Sequence, residues 1–180
     1  MPIVATDLVY RLSTTSGAAG DSLAQASPNS SLGKYVSTSV FASGTNGLFD
    51  NITGDENAAS AVDYRCVFIL NNHATLTLEN AVVWVNSQVA GGAVVAIATD
   101  NVAASAKASA VAQAALVATE LTAPTAVSAF SAPTTKATGL PLGNLGPGQV
   151  KAVWVRRSAA NTAAINADGF EIACAGDTAA

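Results

Sequence analysis

Tyr64-Arg65-Cys66-Val67-Phe68-Ile69-Leu70 is the stretch that decides the fold. It is a run of β-branched, aromatic and other apolar residues with no glycine or proline, too short for a buried helix and right for a strand. Asn71-Asn72-His73-Ala74 follows as a polar link, and Thr75 to Val85 reads as a second strand. In that strand Leu76, Leu78, Val82 and Trp84 share one face, while Thr75, Thr77 and Glu79 take the other. Two such runs joined by four polar residues predict a β-hairpin.

Working outward, period-two alternation recurs along most of the chain. Val4 to Leu12 reads as a strand, then residues 16–34, rich in Gly, Ser, Ala and Asn, as a long loop. Tyr35 to Phe41 and Ala93 to Thr99 read as further strands. The alanine-dense stretch from Val102 to Val117 fits a helix by propensity but also alternates at period two, and strand plus loop is the preferred reading. Ala115 to Leu121 and Val127 to Ser131 end before Pro124 and Pro133. Leu140 to Gly148 reads as a turn-dense connector. Val150 to Arg157, centred on Trp154, and Gly169 to Ala175 close the series. Short strands between Gly/Pro/Asn turns predict an all-β fold, an antiparallel β-sandwich of jelly-roll or immunoglobulin-like topology. Residues 1–180 form one domain on this reading, with 13–34 as a candidate extended arm.

Charged residues make up only 11% of the chain, against about 25% in an ordinary soluble domain. The surface is therefore covered largely by small, weakly polar side chains. With 8 Lys+Arg, 12 Asp+Glu and a formal charge of −4, the chain lacks the cationic field that displaces counterions from nucleic acid. No apolar run approaches the ~20 residues of a membrane-spanning helix, and no signal peptide stands at the N-terminus. A soluble protein made in the cytoplasm is the expectation, with no nucleic-acid or membrane partner.

Little in the sequence suits catalysis. The single histidine, His73, falls in the polar link and reads as a solvated turn residue. No nucleophile elbow, phosphate loop or two-histidine metal motif is present. Asp50, Asp55, Glu56 and Asp63, with Asn51 and Asn57, offer oxygen ligands but miss the spacing of a calcium loop, and read as a solvated acidic loop. Cys66 and Cys174 read as core thiols, and Trp84 and Trp154 as core rings in preference to sugar platforms. No enzyme activity and no cofactor or metal are expected. Arg156-Arg157 at the end of the Trp154 strand suits an interface, arginine being enriched at protein contacts, or else an edge kept soluble by charge.

Several segments together resemble the small virion structural proteins of tailed bacteriophages. They are Arg11-Leu12-Ser13, Ser30-Ser31-Leu32-Gly33, Leu48-Phe49-Asp50-Asn51-Ile52-Thr53-Gly54 with Glu56, and Tyr64-Arg65-Cys66. Leu145-Gly146-Pro147-Gly148-Gln149 and Ala152-Val153-Trp154-Val155-Arg156-Arg157 extend the likeness over most of the chain outside 102–118. The resemblance implies a virion component on the capsid surface. Its expected role is a capsid decoration (cement) protein, often a homotrimer, that binds the major capsid protein lattice and stabilises the head. A tail, connector or spike subunit, and a receptor- or carbohydrate-binding module, are the alternatives. The resemblance transfers no functional residue.

Overall fold

The Tyr64–Leu70 run lies inside strand β3 (Val62–Asn71) of a computed structural model that describes residues 2–41, 47–163 and 168–178. It pairs antiparallel with β1 (Leu8–Thr14) on one side and β8 (Gln149–Ser158) on the other. Every residue from Cys66 to Asn71 is buried, so this strand needs cover on both faces. The run is apolar without alternation for that reason.

β2 (Tyr35–Val40) pairs with β1, while β5 (Val94–Thr99) and the two-residue β6 (Ser105–Ala106) pair with β8. The large sheet thus runs β2-β1-β3-β8-β5, with β6 beside β8. A second antiparallel sheet, β7-β4-β9, contains β4 (Leu78–Gln88) between β7 (Leu140–Leu145) and β9 (Phe170–Thr178). With 43% strand and 8% helix the chain is all-β.

Side chains from both sheets fill one core: Leu12, Val67, Ile69, Val153 and Val155 from the large sheet, Val83, Val85, Leu145, Phe170 and Ile172 from the small one. The other face of the large sheet buries Cys66, Phe68, Leu70, Ala152 and Trp154 under irregular chain carrying Leu32, Ala114, Val117 and Phe130. Residues 13–34, the candidate arm, contribute to that covering layer through buried Ser31 and half-buried Leu32.

Both edges of the large sheet are closed by the chain's own loops. Asp21 N–H donates to the Val36 carbonyl and Thr38 N–H to Leu23 along β2. Ile97 and Ser131 exchange both backbone bonds along β5. In the small sheet β7 carries Pro141, which an edge strand tolerates, and Gly143 at φ +79°.

Four expectations need correction. β3 and β4 do not form a hairpin; they belong to different sheets, and residues 72–77 carry the chain from one layer to the other. Both edges of β3 are already taken by β1 and β8. The link is a corner built by side chains: Asn71 Nδ2 donates to the carbonyls of Leu76 (2.9 Å) and Leu145 (2.8 Å). His73 N–H donates to Asn71 Oδ1, and His73 Nδ1 accepts from the backbone of Thr75 and Leu76, so this half-buried histidine organises the corner.

Trp84 is not core. A bulge at Asn80, φ +49°, shifts the alternation, so Leu78 and then Ala81, Val83 and Val85 face inward while Val82 and Trp84 face out. Leu140–Leu145 is a strand, not a connector. Residues 115–121 and 127–131 form only isolated bridges, through Leu116, Val127 and Ser131. Between Val102 and Val117 the only regular element is β6, in line with strand plus loop.

Asn71→Ala removes the side-chain donor that two carbonyls in the corner share, at a cost of about 2–4 kcal/mol. Thermal unfolding followed by circular dichroism is expected to move down by roughly 4–12 °C, with Asn72→Ala nearly unchanged.

Candidate functional site

Neighbouring residues on a strand point to opposite faces, so Arg156 and Arg157 on β8 have different fates. Arg157 turns inward and is buried. Its Nη2 lies 2.6 Å from Asp63 Oδ2, its Nε 3.2 Å from the same oxygen, and its Nη1 donates to the Asp50 carbonyl. The guanidinium stands 4.7 Å from the Phe49 ring centre. The fully buried Arg65 approaches the same ring at 5.5 Å, donating to Glu120 and to Asn29 Oδ1. Two buried cations therefore fasten the 48–51 loop, and Arg65 also holds Asn29 and Glu120. Between the tethered loops lies an open cleft of about 280 Å³ lined by Ser27, Pro28, Asn29, Phe49, Asp50 and Asn51.

Arg156 takes the outer face and is half-buried. It sits across the ladder from Tyr64 and Ala96, with its guanidinium 5.2 Å from the Phe130 ring centre. Phe130 meets Tyr64 edge-on at 5.5 Å. The Tyr64 N–H donates to the Glu120 carbonyl, which brings exposed Leu121 close by. Of the two arginines proposed from sequence, Arg157 is thus a structural ion-pair residue and Arg156 belongs to a surface patch.

The acidic residues do not gather. Asp50 and Asp63 serve Arg157. Glu56 closes a capping box on the short helix α1 (Gly54–Ala58), and the Thr53 backbone N–H and hydroxyl hold its carboxyl below the usual value. Among the described residues no group of three His, Cys, Asp or Glu side chains is placed to hold a metal ion. Both cysteines are free thiols, Cys66 buried and Cys174 half-buried against the core. Burial pushes the Cys66 thiol up, and the Cys174 thiol to about 12.

Trp154 is the core ring expected, and its indole N–H donates to Asp100 Oδ2 at 2.9 Å. Sequence reasoning passed over Asp100 and Gln113, both buried and both central to the covering layer. Asp100 also accepts from the N–H groups of Ala115 and Val102. Gln113 accepts from Val36 N–H and donates to the Ala106 carbonyl. An acid directly after an apolar strand was the only available signal, and Gln113 offered none amid alanines.

Arg157→Ala strands the buried Asp63 carboxylate, so a loss of about 3–5 kcal/mol is expected in urea unfolding. Lys136→Ala, which breaks the exposed pair with Asp177, is expected to cost under about 1 kcal/mol. The raised thiol pKa predicts alkaline lability. The stability gained by keeping Cys174 neutral is complete below pH 9 and is lost as pH rises toward about 12. Cys174→Ala is expected to flatten that part of the pH–stability curve. No protein-family model, curated protein or solved structure matches the chain.

Proposed function

We propose that the chain is a non-enzymatic structural subunit of a bacteriophage virion. Its role in this reading is capsid decoration: a homotrimer on the capsid surface that binds the major capsid protein lattice and stabilises the head. One observation carries the proposal. Five of the segments on which the resemblance rests, all but Leu145–Gln149, meet in space as a shape-holding frame. Ser31 Oγ bonds Ser13 N–H and the Cys66 carbonyl, and Gly33 N–H donates to Ser13 Oγ. Arg65, Arg157, Phe49 and Asp50 form the second half of that frame. Their chemistry is that of fixing loops to a sheet, as a lattice-binding subunit requires. The apolar layer shared by the two sheets supports the β-sandwich reading of the architecture, jelly-roll or immunoglobulin-like.

A second reading, a carbohydrate-binding module on a tail or spike, is favoured by Trp84. This half-exposed ring faces out of the small sheet across from Ala173, and its indole N–H has no hydrogen-bond partner among the described residues. Glu171 accepts from Asn86 and Ser87 on the neighbouring strand.

Purified protein added to capsids lacking it is expected to co-sediment at many copies and to raise their melting temperature. A chain that ignores the shells but binds host glycans, and loses that binding with Trp84→Ala, overturns decoration in favour of the second reading.

A further inference from the structure

We infer that the Arg156 patch is where one copy of this chain grips a carboxylate of the next. The inference deepens the assembly reading above and rests on it for the expectation that copies meet.

Of the four arginines, three have carboxylate partners: Arg11 with Asp21, Arg65 with Glu120, and Arg157 with Asp50 and Asp63. Arg156 has none among the described residues; its Nε, like those of Arg11 and Arg65, is buried without a hydrogen-bond partner. A guanidinium is a planar fork suited to bidentate capture of a carboxylate. Here it is held over Phe130, which is itself braced by Tyr64, so little side-chain freedom remains to be lost on binding. Leu121, 66% exposed, follows Glu120, whose carbonyl takes the Tyr64 N–H. An oriented arginine flanked by Tyr64 and Phe130 has the composition of an interface centre. The same covering layer also exposes Val111 (75%) and Leu116 (57%).

Charge identifies the occupant. The chain carries 12 acidic residues against 8 Lys+Arg, and Asp55, Glu79 and Glu171 have no cation partner among the described residues. A second copy therefore supplies the missing anion. A two-fold dimer meets this requirement as well as a closed ring does, because off the axis Arg156 of each copy faces a different residue, here a carboxylate, of the other.

Sedimentation equilibrium of the full chain at about 100 μM tests this. Wild type is expected to run as a discrete oligomer, and Arg156→Glu to weaken association about a hundredfold with an unchanged near-ultraviolet dichroism spectrum. Leu121→Ser, at an exposed position where folding is not at stake, is expected to weaken it about tenfold. A monomeric wild type, or an Arg156→Glu oligomer of unchanged association constant, overturns the inference. Shell binding by a monomeric wild type would sink the contact between copies and leave shell binding standing, and an oligomer that ignores shells would do the reverse.

Discussion

A strand apolar on both faces has to be covered twice, and in this chain only one cover is a sheet. β3 and β8 bury side chains above and below, while β7, β4 and β9 shield a single face. The opposite face is left to irregular chain, whose peptide groups cannot satisfy one another as a ladder does. Each buried N–H and carbonyl of that layer needs an individual partner, and this requirement explains most of the buried polar residues in the molecule.

Asp100 shows the solution most plainly. Its carboxylate accepts from Trp154, Ala115 and Val102, while Lys151 Nζ donates to its backbone carbonyl at 2.6 Å. Burial pushes the Lys151 ammonium pKa down, with Asp100 pulling the other way. Gln113 and Ser31 act likewise at neighbouring points. The layer also presses close enough to demand glycine. Gly33, at φ +96°, faces the Ala115 carbonyl so tightly that a Cβ would collide with it.

These strands were legible because unbroken β-branched and aromatic runs leave a strong mark, and Val62–Asn71 and Gln149–Ser158 fall almost where those runs lie. Pairing was not legible. The polar link after Leu70 looks the same whether it turns within a sheet or between sheets, and only the partners at Leu76 and Leu145 decide. Trp84 was misplaced for a local reason: one residue in a left-handed conformation at Asn80 inverts every assignment beyond it. At the surface, the Arg156-Arg157 pair announced a charged strand end. Which of the two would be buried depended on strand parity relative to a core that the sequence does not locate.

The loops that close the β2 and β5 edges have a consequence in time. Each seal is laid by irregular chain along an edge that the sheet itself must first present. Until the seals are laid a newly made molecule presents open hydrogen-bonding edges on a weakly charged, alanine-rich body, with little electrostatic repulsion to keep its neighbours away. Its exposure to aggregation is thus confined to a kinetic window during synthesis.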